Sequence, residues 1–190
     1  MTTLPQTPSL PATQRRASKP RGFSIVEALC TLAVLATAAG TAVPAFDSLR
    51  TQRRLDGMAA QLETDIQFAR SEAVRSNRPT RLSVQSLTEG TCYVIHTGKA
   101  NDCRCTDSGT TECQANAIEL RTVRQLPLER VSLRSSSNSI AFDPHRGTVT
   151  PTATLRMVAN DGRAVHQVVN VLGRVRSCSP QSRMLGYRAC

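Results

Sequence analysis

Two groups of side chains near the C-terminus have the types and spacing to do chemistry: arginines and cysteines. From Pro144 onward there are seven arginines, Arg146, Arg156, Arg163, Arg174, Arg176, Arg183 and Arg188, opposed by one acid, Asp161, for a local charge of +6. Gly173-Arg174-Val175-Arg176 sets two guanidiniums two residues apart, so an extended chain turns both to one side. A guanidinium forks two hydrogen bonds onto a phosphate. This pair, with Arg183 and Arg188 on the segment that follows, is a candidate grip on a nucleic-acid backbone. Gly173 would let the backbone turn sharply or come close to such a ligand. Aromatic residues are few beyond Tyr187, so base stacking adds little. The competing reading of the same arginines is a solvated basic face, or a contact with acidic neighbouring subunits.

The chain has seven cysteines. Cys30 lies in an apolar run and reads as a small apolar residue. The other six, Cys92, Cys103, Cys105, Cys113, Cys178 and Cys190, all follow that run, and an even set beyond a translocated segment reads as disulfides formed in an oxidising periplasm. Cys178 is expected to pair with Cys190, closing residues 178–190 into a loop around Arg183 and Arg188. Cys92, Cys103, Cys105 and Cys113 would form two more bridges, with Cys103 and Cys105 going to different partners; their connectivity stays open. Zinc on Cys103, Cys105 and Cys113 is the alternative, but a one-residue gap between thiols is poor structural-zinc spacing. His96, His145 and His166 are scattered and adjoin no nucleophile in sequence, and no phosphate-cradling glycine loop occurs. Asp143 and Asp161 fall in predicted turns, where aspartate bonds the backbone. These residues call for binding rather than catalysis, with no cofactor.

The elements that must position them begin with Arg21 to Phe46. A basic residue and a glycine open this stretch, and Glu27 is the one acid in it. Ala28 to Phe46 carries no charge, and as a helix it reaches about 28 Å, near the ~30 Å hydrocarbon core of a bilayer. A cleaved secretory signal, an ordinary single-pass anchor and a processed anchor all fit such a run. A buried carboxylate argues against the first two, since one in lipid needs a partner. Arg15, Arg16, Lys19 and Arg21 supply +4 of the chain's +10 ahead of the run and keep the N-terminus in the cytoplasm. Residues 1–20 are rich in Pro, Thr and Ser and read as disordered.

From Phe23 a helix is expected to continue to about Ser76, about 80 Å in all. Past the membrane, Leu55, Met58, Ala59, Leu62, Ile66, Ala69 and Ala73 keep one apolar stripe, with Arg53, Arg54, Glu63, Arg70 and Arg75 on the solvated side. Gly40, Pro44 and Gly57 are candidate bends, and Asn77 and Pro79 end the helix. The period then becomes two. Predicted strands are Arg81–Ser86, Thr91–Thr97, Ala117–Arg124, Arg130–Arg134, Ser139–Phe142, Thr154–Ala159 and Ala164–Leu172. Asn160-Asp161-Gly162 predicts a hairpin between the last two, and 98–116 a polar loop holding three cysteines. The fold class is α+β: a long N-terminal helix packed on an antiparallel β-sandwich.

Arg21-Gly22-Phe23-Ser24-Ile25-Val26-Glu27 resembles the processing site of type IV prepilins. Pro44 also falls where pilins commonly carry a helix-kinking proline. The resemblance implies cleavage after Gly22 by prepilin peptidase, N-methylation of Phe23, and pairing of the new amine with Glu27 of a neighbouring subunit during assembly. Phe142-Asp143-Pro144, Arg146-Gly147, the Asp-Gly hairpin and Gly173-Arg174-Val175-Arg176-Ser177-Cys178 narrow the resemblance to the minor pilin and pseudopilin family that includes GspH and FimT. It covers Arg21 to about Ser86 and Ile140 to Cys178; the cysteine loop between them matches no motif. The implied organisation is a cytoplasmic leader 1–22, a membrane and assembly helix 23–49, and a periplasmic domain 50–190 with helix 50–77, β-sandwich 80–178 and the C-terminal loop. The implied partners are other pilins in a filament, the peptidase, inner-membrane lipid and double-stranded DNA taken up in natural transformation. The alternative is a GspH-like structural tip component of a type II secretion system, without DNA binding.

Overall fold

The computed structural model describes residues 22–114, 116–125, 131–180 and 184–190. The basic leader side chains Arg15, Arg16, Lys19 and Arg21, the predicted strand start Arg130, and Arg183 lie outside the described residues. The chain divides into two compact units, Met1–Val43 and Pro44–Cys190.

In the first unit, helix α1 (Ile25–Ser76) begins two residues past Phe23. It contains a window with mean hydropathy 1.8, long and apolar enough to cross a membrane. Phe23, Ile25, Val26, Leu29, Leu32, Val34 and Leu35 are all exposed. A helix apolar on every side needs lipid or other helices around it.

In the second unit, α1 buries Leu55, Ala59, Leu62, Ile66, Ala69 and Ala73, the alternating three- and four-residue spacing of one helical face. This face packs on two five-stranded sheets. The first has the order β5-β2-β1-β7-β8, from β1 (Thr80–Ser86), β2 (Thr91–Thr97), β5 (Glu119–Gln125), β7 (Ser139–Phe142) and β8 (Val149–Thr150). The second has the order β12-β11-β10-β9-β6, from β6 (Val131–Ser135), β9 (Ala153–Ala159), β10 (Ala164–Val169), β11 (Val175–Ser179) and β12 (Arg188–Ala189). Tyr93, Ile95, Ile140 and Phe142 from the first sheet join Leu133, Leu155, Met157 and Val165 from the second in one core.

Several elements depart from the sequence expectation. The predicted polar loop carries a hairpin, β3 (Cys103–Cys105) and β4 (Thr111–Cys113). It lies over the outer face of β2, where Cys92, Val94 and Cys103 form a second small core. That cover is why β2 is buried at five successive positions rather than at alternate ones. The last predicted strand ends at Val169, and a turn separates it from β11. The final pairing, β11 with β12, is parallel, whereas the other pairings are antiparallel. Gly40 and Gly57 are both helical, so α1 does not melt at either. Arg70 is half-buried rather than fully solvated: its Nε donates to the Gly147 carbonyl at 3.0 Å.

Candidate functional site

The turn between β10 and β11 sets the first arginine. Asn170 Oδ1 accepts from the backbone N–H of Leu172 (3.0 Å) and of Arg174 (2.9 Å). The Gly173 N–H donates to the Asn170 carbonyl at 2.9 Å, closing the turn. Gly173 has φ +71°, in the left-handed region. It is buried, and a Cβ there would stand 3.0 Å from Arg70 Cδ and 3.2 Å from the Gly147 carbonyl oxygen. The close approach that this glycine permits is therefore to α1 and the 143–147 turn, not to a ligand. Arg174 leaves this turn exposed.

Arg176 follows on β11, opposite Val168 of β10. Val175 and Ser179 point inward, so Arg176 and Cys178 share the outer face of the second sheet. Cys178 stands opposite Arg188 on β12 and is bridged to Cys190. The bridge holds the terminal strand against β11, which places Arg188 on the same outer face. Arg176, Arg188, Val168, Cys178 and Cys190 line one cavity of about 460 Å³. Of the four arginines singled out in the sequence, Arg176 and Arg188 thus meet at one edge of this sheet, and Arg174 stands in the turn two residues ahead of Arg176. The side chains of Arg174, Arg176 and Arg188 have no ion pair or hydrogen bond among the described residues, although Arg163 and Arg75 each hold a carboxylate.

Of the other five cysteines, Cys92 pairs with Cys105 and Cys103 with Cys113, while Cys30 is a free thiol. Cys103 and Cys105 go to different partners, and no thiol of the three remains for a metal. The histidines are placed separately. His96 is buried in β2: its Nδ1 donates to the Thr97 carbonyl (2.8 Å), so its Nε2 accepts from the Ser83 hydroxyl (2.9 Å). Burial pushes its imidazole below the usual histidine range, so it stays neutral. Sequence spacing hid this Ser–His contact because it crosses two strands, but Ser83 is itself 1% exposed and also bonds Ser139. His166 lies on β10 opposite Arg156, and burial together with that guanidinium lowers its pKa. Asp143 and Asp161 bond turn backbone: Asp143 accepts from the Arg146 N–H at 2.8 Å, and Asp161 from the Arg163 N–H at 3.0 Å.

Sequence reasoning missed Asp65. It is fully buried on α1, accepts from Tyr93 Oη at 2.7 Å and is ion-paired with Arg121 of β5. Arg121 also stacks 5.3 Å from the Phe68 ring centroid. Asp65 sits three residues from Leu62 and one from Ile66, inside the apolar stripe, which was the available signal. At the other end of the chain, Gly22, Phe23 and Glu27 are exposed in the first unit, with Glu27 in the first turn of α1.

Residues 58–173 match the family model described as type II transport protein GspH. The match ends at Gly173, so Arg174, Arg176 and Arg188 lie beyond it. Among solved structures, the chain is similar to the type IV minor pilin FimU of Pseudomonas aeruginosa, at 23% identity and a TM-score of 0.49, covering 68% of this chain and 95% of that one. It is also similar to the minor pseudopilin EpsH from the type 2 secretion system of Vibrio cholerae, at 13% identity and a TM-score of 0.46, covering 68% and 99%. No curated protein gives a significant match.

Proposed function

The chain belongs to the GspH family of minor pilins and pseudopilins, and from that premise we propose that it is a minor type IV pilin that binds double-stranded DNA for uptake in natural transformation. The observation that carries this reading is the meeting of Arg176 and Arg188 on one sheet edge, with Arg174 in the turn two residues ahead of Arg176, all three exposed and without acidic partners among the described residues. Arg183, outside the described residues, lies in the segment that the Cys178–Cys190 bridge closes. Guanidiniums held by a rigid turn and a bridged strand lose little freedom on meeting phosphate. Contacts to phosphate carry no sequence information, so the binding is sequence-independent. The role is one of assembly and binding, not catalysis.

The reading includes processing. Prepilin peptidase cuts after Gly22, Phe23 becomes the N-methylated first residue, and the apolar part of α1 holds the protein in the inner membrane with its C-terminal domain in the periplasm. Glu27 then pairs with the amine of an incoming subunit. In cells, Arg174→Gln with Arg176→Gln should leave pilus assembly intact and lower DNA uptake. Unchanged uptake, with the variant present in pili, would count against DNA binding at this edge. The second reading is a structural pseudopilin of a type II secretion system, and the match to the GspH family model favours it. Under it, the same double variant alters protein export or nothing, and the wild-type chain fails to bind DNA.

A further inference from the structure

The outer face of the second sheet continues beyond the edge just described. Strand register places Arg134 of β6 directly opposite Arg156 of β9, Arg156 opposite His166 of β10, His166 opposite Cys178 of β11, and Cys178 opposite Arg188 of β12. This is one row running across all five strands. Four inter-strand steps of roughly 4.8 Å make it about 19 Å long. Arg134 and Arg156 are exposed, while Leu133, Leu155 and Met157 beside them point to the core. None of the five strands contains an acid.

The Arg134–Arg156 pairing is unfavourable on its own terms. Residues directly opposite in an antiparallel pair bring their Cβ atoms to about 4.5–5.5 Å, where like charges repel. Neither guanidinium has an ion pair or hydrogen bond among the described residues. Two unneutralised guanidiniums at that spacing suit a polyanion, whose phosphates follow one another along a strand at 3.4 Å of rise. The edge cluster of Arg176 and Arg188 lies two to four strands away, roughly 10–19 Å, a range that includes the ~12 Å width of a major groove.

We infer that Arg134 and Arg156 form a second phosphate subsite, so that a DNA duplex lies across the strands of this sheet and is held at both ends of the row. The inference rests on the DNA-binding reading above. It extends the contact to residues on β6 and β9 that lie inside the region matching the family model, whereas the first cluster lies outside it.

The test is equilibrium binding of a short labelled duplex to the full-length chain in neutral detergent, over a range of salt. Arg134→Gln with Arg156→Gln should weaken binding and flatten the log–log salt slope by about 1.8, at roughly 0.9 per phosphate contact. Its thermal midpoint should stay level or rise, because a like-charge pair has been removed. Arg134→Lys with Arg156→Lys keeps the charge and should restore most of the slope. Arg75→Gln, which removes a charge on α1, should leave the slope unchanged. If the Gln variant binds with the wild-type slope while Arg174→Gln with Arg176→Gln is impaired, the second subsite does not exist and DNA binding at the edge stands. If Arg75→Gln flattens the slope as much per charge, the effect is net charge and the subsite is likewise refuted. If the wild-type chain binds no DNA at low salt, the DNA reading fails first.

Discussion

Asp65 shows how a single residue ties α1 to the first sheet. Its carboxylate is sealed from water yet meets the Tyr93 hydroxyl and the Arg121 guanidinium. Removing one partner of such a group leaves the others desolvated and unmatched. Asp65→Ala should therefore cost about 2–4 kcal/mol in urea unfolding, while Asp65→Asn, which still accepts from Tyr93, should cost less. Equal losses would mean that the ion pair with Arg121, not the tyrosine, carries the contact. Gly173 is the second such residue. A side chain there would be forced into the left-handed region and against Arg70, so Gly173→Ala should destabilise by about 1–3 kcal/mol. The motif Gly173-Arg174-Val175-Arg176 was legible as a unit, but the partner of its glycine was not, because Arg70 and Gly147 are distant in sequence. At the N-terminus, mass spectrometry should find a mature chain beginning with N-methylated Phe23. Gly22→Ala should block that cut, whereas Glu27→Ala should permit it and impair assembly; an intact leader in wild-type protein would overturn the processing claim.

At the scale of elements, the helix and most strands were legible because their apolar periods are clean. The stripe from Leu55 to Ala73 is buried almost as read, with Met58 only half-buried. The hairpin β3–β4 was not legible. Its strands are three residues each, and disulfides rather than an alternating pattern fix them: Cys103–Cys113 ties β3 to β4, and Cys92–Cys105 ties β3 to β2. The terminal strand β12 was hidden for a similar reason: two residues, both exposed, are kept in place by the Cys178–Cys190 bridge. Closing a loop of that length stabilises by about 3 kcal/mol in the chain-entropy model. Cys178→Ser with Cys190→Ser should lose about that much in chemical unfolding. It should also release Arg188 from Arg176 and so weaken DNA binding more than the fold. A variant that unfolds earlier but binds DNA normally would show that β12 plays no part in the site.

For the whole molecule, stability should fall in two stages on acidification. His96 and His166 titrate below 6.5 when folded, so between their folded pKa values and 6.5 the unfolded chain binds more protons. Stability is full above that window and declines as pH falls through it. Asp107, Asp143 and Asp161 are held below 3.8 by hydrogen bonds, so a second decline follows in more acid solution, as pH falls through their folded values. His96→Gln should shrink the first stage in a pH series of thermal unfolding and leave the second. The basic C-terminal composition was legible from the sequence, but the row across the second sheet was not, since it depends on register between strands up to 54 residues apart. The most direct test of the account is the salt dependence of duplex DNA binding by the full-length chain. Contacts from Arg134, Arg156, Arg174, Arg176 and Arg188 predict a log–log slope of about −4.5, falling to about −2.7 in Arg174→Gln with Arg176→Gln. A wild-type chain that binds no duplex at low salt, or a slope untouched by that double variant, would contradict it.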